Sequence, residues 1–383
     1  MSVYHQMGHD TANLLTEKHL MAYRGAILSP VNDVLKGMLA DVKGVRKKQP
    51  SFEFIFDPQL YYPRSDRGCL KKWPYFPTDL DTADTQSSSW WKKLIEDVIK
   101  DCADIAPDAI CSPAVVPRSY SDDYYATMVS IGEALTAELK GSKVKPIQTA
   151  IVGLNELAAP KKPLAVASLL SRASCGRLFL VLTSSLEPRR ELNDAEEVFA
   201  AMNLIRLLTE SGMEITVGFC SSDVLLWKLA GASHCATGKF FNLRRFSKAR
   251  FDEPTDGGGQ VPYWFEESLL AFLREPDLIK MQNAGLLSNS SQRNPYAQDI
   301  LKVLETKPRK AWQALSWRHY MWWFADIEAR VANGAVQVPD LINDADALWG
   351  KIEDAIIMEE RSNTGTWLRA WRQACIEYAK PRS

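Results

Sequence analysis

The sequence predicts an α/β chain: a (β/α)8 TIM-barrel-like parallel barrel over residues 20–275, followed by an all-helical C-terminal domain over 290–383. Three observations carry this. Short apolar runs recur through the first two-thirds of the chain, and they are apolar throughout rather than alternating, as in strands covered on both faces. Helical runs with readable ends stand between them, so the repeating unit is strand, crossover, parallel strand. The span also matches the roughly 250 residues that such a barrel needs. The alternative is an open doubly wound sheet, which carries a glycine-rich turn after its first strand. Here AILS runs into SPVND with no GxGxxG.

Seven strands are predicted in order: Ala26–Ser29, Phe52–Asp57, Ala109–Ser112, Ile147–Gly153, Arg177–Thr183, Glu214–Phe219 and Ala232–Thr237. The eighth is hidden, with the irregular stretch 60–90 as its expected place, and residues 1–19 are an N-terminal segment that frays. Trp90–Asp101 and Asp122–Leu139 read as crossover helices. Asp194 can cap the helix that follows it, and Gly212 supplies the left-handed position that ends it. Ser222 opens a further helix that stops at Gly231. Residues 60–90, rich in Pro, Tyr, Asp and Ser, form a long loop of the kind that serves as a lid. Residues 252–261 form a linker, Tyr263–Arg274 a helix, and helices begin at Tyr296, Lys310, Pro339 and Thr364. The run holding Trp312, Trp317, Trp322, Trp323 and Phe324 spreads its rings around a helix, so it is buried on several sides.

Bulk composition narrows the function. The chain has 46 Lys plus Arg against 47 Asp plus Glu, so a polyanion site has to be a local patch. Seven cysteines without a CxxC pair fit a reducing compartment, and five scattered histidines form no metal-ligand pattern; no cofactor is assigned. The start, MSVYHQMGHD, has no secretory h-region, and no apolar run reaches the roughly 20 residues of a membrane span. A cytoplasmic protein with no membrane partner is expected.

The strand ends supply the candidate chemistry. Thr237, Gly238 and Lys239 follow the last strand, and Arg244, Arg245, Lys248 and Arg250 come after them with no acid between. Loops after the late strands of such barrels bind phosphate through backbone N–H groups, so Thr237, Gly238, Lys239, Arg244 and Arg245 are predicted to cradle an anion. Asp57 ends FEFIFD, where low-dielectric walls can raise a carboxyl into the range of a general base. Glu156 is its predicted acid partner. His234 suits proton transfer at neutral pH, provided that it faces the mouth. Tyr61, Tyr62, Arg64 and Arg118 lie in loops beside these groups, and tyrosines next to cations suit a base and its phosphate.

Asn155–Glu156 resembles the Asn–Glu pair of the large (β/α)8 glycosidase clan, but Ser221, Ser222 and Thr237 stand where a second Glu is needed. Asp57 is similar to the aspartates of the tRNA-guanine transglycosylases, whose C-terminal zinc cluster is absent. The expectation is an enzyme of the hydrolase or glycosyl-transfer class, acting by carboxylate chemistry on a phosphate-bearing small molecule, a nucleotide or nucleic acid. The alternatives are a non-catalytic scaffold that binds a protein partner through its Trp-rich helices, or a nucleic-acid-binding subunit.

Overall fold

The computed structural model describes residues 2–81, 83–253, 261–306, 310–355, 358–360 and 363–381. Eight parallel strands close into a barrel in chain order: β1 (Val3–Gln6), β2 (Gly25–Leu28), β3 (Glu53–Phe56), β4 (Ala109–Cys111), β5 (Lys145–Gly153), β6 (Arg177–Thr183), β7 (Glu214–Gly218) and β8 (His234–Thr237). The eighth strand is therefore Val3–Gln6, inside the segment expected to fray, and not in 60–90. It pairs with β2 on one side and closes against β8 on the other, with Tyr4 opposite Ala236. All four of its residues are buried.

The helices of the barrel half are α1 (Ala12–Leu15), α2 (Leu35–Lys48), α3 (Ser88–Cys102), α4 (Asp122–Glu138), α5 (Leu154–Leu157), α6 (Lys162–Leu170), α7 (Ala195–Glu210) and α8 (Val224–Leu229). Their ends follow the local chemistry. Asp194 Oδ1 accepts from the N–H groups of Glu196 and Glu197, at 2.9 and 3.0 Å, and Gly212 takes φ +91° after α7.

The region predicted as a helix at Tyr263–Arg274 is instead a two-stranded antiparallel hairpin, β9 (Trp264–Glu266) and β10 (Ala271–Leu273). Buried Glu266 holds its turn by accepting from Ser268 N–H and Oγ–H, at 3.3 and 2.8 Å. Phe265 and Phe272, opposite each other across the hairpin, both pack on Tyr320. Aromatic cross-strand pairing outweighs helical spacing here. The rest is helical: α9 (Glu275–Asn283), α10 (Asn289–Gln292), α11 (Ala297–Glu305), α12 (Gln313–Ala332), α13 (Val338–Ala355) and α14 (Trp367–Ala379). Most of the expected linker lies outside the described residues.

The long helix α12 packs against α8 and the turn before β2, which is the place of an eighth barrel helix. Tyr23 donates to its Met321 carbonyl at 2.9 Å, and Lys228 pairs with its buried Glu328 at 2.9 Å. Trp312 and Trp323 are buried, with Trp312 donating to Glu275 at 3.1 Å. Among the described residues, no helix is long and apolar enough to cross a membrane.

Register and alternation decide what fills the barrel. Tyr4, Glu53, Arg177, Glu214 and His234 face inward at its N-terminal end. Phe179 fills the middle against Gly218, where an added Cβ would stand 2.5 Å from the ring.

Candidate functional site

Residues 238–251, after β8, turn back across the C-terminal end of the barrel instead of leaving it open. Gly238 permits this, because a Cβ there would meet the Gln6 carbonyl and Leu243 at 2.6 Å each. The segment carries Phe246 and Phe251 onto the barrel axis. Phe246 lies 5.2 Å from Tyr61 and 5.3 Å from Phe219, and Phe251 lies 5.6 Å from Tyr61 and 5.3 Å from Tyr62. Burial of each phenylalanine contributes about 2–3 kcal/mol, so this plug is a stable part of the fold.

Under the plug lies a polar layer. The buried Arg250 guanidinium donates through Nη2 to the Met7 carbonyl, Ser29 Oγ and Asn32 Oδ1, at 3.2, 2.7 and 2.7 Å. Burial depresses its pKa to about 9. Gln59, at φ +53°, accepts from Ser29 Oγ–H and Val31 N–H, at 3.0 and 3.1 Å. Asp57 directly follows β3 in this layer and is buried. Its Oδ1 accepts from Gln59 N–H at 3.0 Å and its Oδ2 from Tyr61 O–H at 2.9 Å. Loss of hydration raises its pKa to about 6, although both hydrogen bonds and Arg250 pull the other way.

The residues predicted to form one anion cradle go to separate destinations. Thr237 faces outward, donating to the Cys220 carbonyl at 2.6 Å beside the Tyr320 hydroxyl. Lys239 donates to the Asp10 carbonyl at 3.1 Å between the rings of Phe240 and Trp317. Arg244 donates to the Gly238 and Lys239 carbonyls, at 3.0 and 2.9 Å, with its guanidinium 3.6 Å from the centre of the Tyr320 ring. Arg245 donates to the Arg190 carbonyl at 3.0 Å and lies 3.5 Å from both Glu191 and Asp223. All three cations are buried and engaged within the protein. The hairpin and α12 supply the rings of Phe272, Trp317 and Tyr320, and the carbonyls come from Asp10, Arg190 and the segment's own Gly238 and Lys239; the rings are not visible from the cationic run itself.

Glu156 sits in the β5–β6 sector, its Oε2 folded over Gly153 beside Tyr120. Among the described residues it shares no hydrogen bond or ion pair with Asp57. His234 lies at the opposite end of the barrel from Asp57. Its Nε2 is 2.9 Å from Glu214 Oε1, its ring meets Tyr4 edge-on, and burial lowers its pKa. The three predicted catalytic residues do not converge.

Other predicted residues do. A cavity of about 780 Å³ opens beside the plug between the β3, β4 and β8 loops. Tyr62, Arg64, Arg118, Tyr124 and Lys248 line it, with Trp91 of α3 and Phe251 from the plug. Arg64 donates to the Leu80 carbonyl at 3.1 Å; among the described residues, the side chains of Arg118 and Lys248 have no hydrogen-bond or ion-pair partner. Asp66, Asp123 and Asp252 also face the cavity, Asp66 being paired with Lys71 at 3.2 Å. The wall thus combines aromatic faces, exposed cations and a few carboxylates. The described residues of the 60–90 stretch contribute to it, anchored by Trp73 Nε1–H to the Asp33 carbonyl at 3.0 Å and by Tyr75 O–H to the Pro58 carbonyl at 2.7 Å.

A buried network at the β6–β8 ends joins the predicted Arg245 to two acids, Glu191 and Asp223, that belong to no predicted site. Glu191 accepts from Ser221 Oγ–H at 3.0 Å, Asp223 accepts from Ser221 N–H at 2.8 Å, and Arg245 lies between the two acids. Burial raises Glu191 to about 7. The Ser–Ser–Asp at 221–223 was its one local trace; Glu191 comes from a distant loop with no motif. Among the described residues, no group of three or more His, Cys, Asp or Glu side chains is arranged to hold a metal ion. No protein-family model and no curated protein matches the chain.

Proposed function

We propose that the chain binds a nucleotide in the cleft between the β3, β4 and β8 loops. One observation carries the reading: Arg64, Arg118 and Lys248, from three separate loops, meet Tyr62, Tyr124 and Trp91 around a single cavity of about 780 Å³. The exposed side chains of Arg118 and Lys248, without protein partners, suit phosphate, and aromatic walls suit a base. The cavity is also of a size that encloses most of a small ligand. Titration with ADP, followed by tryptophan emission, tests this directly. Arg118→Ala together with Lys248→Ala is expected to weaken binding by at least about tenfold. Absence of a saturable response, or an unchanged affinity in the double variant, overturns the reading. A deoxythymidine hexamer that binds more tightly than ADP, with a steep salt dependence, turns the assignment to single-stranded nucleic acid.

A second reading makes the protein an enzyme with Asp57 as the working carboxylate. It is favoured by the pKa of about 6 in a group one aromatic layer beneath the cleft. It requires Phe251 and Tyr62 to move aside, and predicts nucleotide turnover that Asp57→Asn abolishes while ADP binding survives.

A further inference from the structure

The nucleotide cleft does not end at Trp91. A second cavity of about 380 Å³ adjoins it along the groove between α3 and α4, and Thr85, Gln86, Trp91, Asp123 and Thr127 line both. The chemistry changes across that boundary. Among the described residues, no Lys or Arg lines the groove; beyond the shared residues its walls are Ser88, Ala126, Ser130, Ile131 and Ala134. Several of its donors are already spent. Thr127 Oγ–H goes to the Asp123 carbonyl at 2.8 Å, Ser130 Oγ–H to the Ala126 carbonyl at 3.1 Å, and Trp91 Nε1–H to the Thr85 carbonyl at 2.9 Å. The groove therefore offers the Asp123 carboxylate and two hydroxyl oxygens as acceptors, and the Gln86 amide and Ser88 hydroxyl, which both donate and accept, with a tryptophan edge beside them. A second phosphate finds no cation there, and an aliphatic chain leaves the acceptors unsatisfied. The complementary group is uncharged, rich in hydroxyl donors and partly apolar on its C–H faces.

We infer that the groove holds a sugar carried on the nucleotide, so that the ligand is a nucleoside diphosphate sugar lying across both cavities. This rests on the nucleotide reading of the adjoining cleft and adds to it the identity of the second moiety. Cleft and groove together supply cations for the diphosphate, rings for the base and acceptors for the sugar hydroxyls.

The experiment compares ADP with ADP-glucose, and UDP with UDP-glucose, by calorimetric titration of the full chain. At least one sugar ester is expected to bind about tenfold more tightly than its diphosphate. Ala126→Leu and Ser130→Leu, on the exposed surface of α4, fill the groove and are expected to remove that gain, while affinity for the plain diphosphate reports that each variant has folded. If a diphosphate binds and its sugar ester binds no more tightly, the sugar inference fails and the nucleotide reading stands. If neither diphosphate nor ester binds, both fail. A gain that survives both leucine variants places the sugar elsewhere and also overturns the inference.

Discussion

Asp57→Asn is expected to stabilise the protein at alkaline pH and to leave it nearly unchanged in acid. The structure encloses this carboxyl completely and raises its pKa from 3.8 to about 6 by loss of hydration. As pH rises from the unfolded value towards the folded one, the unfolded chain sheds a proton that the folded chain keeps. Stability therefore falls through that window and stays lower above it. Two pH units at about 1.4 kcal/mol each amount to about 3 kcal/mol by about pH 8, and to about 1 kcal/mol at about pH 4.5. Asparagine is neutral throughout and keeps the acceptor for Gln59 N–H. It weakens the contact with Tyr61, which costs about 1 kcal/mol. The net gain is about 2 kcal/mol at about pH 8 and close to zero at about pH 4.5, read from urea unfolding of both proteins at each pH. A loss of several kcal/mol at the higher pH would refute the reasoning, because it would mean that folding stabilises the ionised Asp57 as the counter-ion of Arg250 and lowers its pKa instead of raising it.

Phe246→Ala removes the centre of the aromatic plug and is expected to cost about 3–5 kcal/mol, measured by chemical denaturation; a loss below about 1 kcal/mol would show that the plug is not packed. Gly218→Ala sets a methyl group against Phe179 inside the barrel and is expected to destabilise by about 1–3 kcal/mol, with Phe179→Leu in the same chain restoring part of the loss. Glu328→Gln leaves the half-buried Lys228 ammonium without its counter-charge and is expected to cost about 3 kcal/mol, whereas the Lys228→Met, Glu328→Leu double variant recovers much of that in the same denaturant assay.

The barrel was legible because seven of its strands are short apolar runs and because its helices carry their own punctuation, as Asp194 and Gly212 do around α7. The strand β1 was not. VYHQ is half polar, and its burial depends on partners far along the chain: Tyr4 on Glu53, and His5 on the ring of Tyr23. The hairpin at 264–273 escaped for a related reason, since its aromatic residues satisfy a helical spacing as readily as an alternating one until α12 is in place. Site residues divided along the same line. Tyr62, Arg64 and Arg118 lie in loops whose side chains stay at the surface, so their neighbourhood follows from which strands they succeed. Lys239, Arg244 and Arg245 look identical in sequence to a phosphate cradle. What separates the two outcomes is the supply of rings from Phe272, Trp317 and Tyr320 and of partners from Asp10, Arg190, Glu191 and Asp223, which local reading does not see. Asp57 stands between these cases: its place at a strand end was legible, but the aromatic cover that seals it was not.

The most direct test of the nucleotide reading is a crystal structure of the full chain with ADP. The account predicts the diphosphate against Arg118 and Lys248, with the base among Tyr62, Tyr124 and Trp91 and the plug of Phe246 and Phe251 unmoved. Phosphate density beside Gly238 and Lys239, or on the barrel axis with the plug displaced, would contradict it.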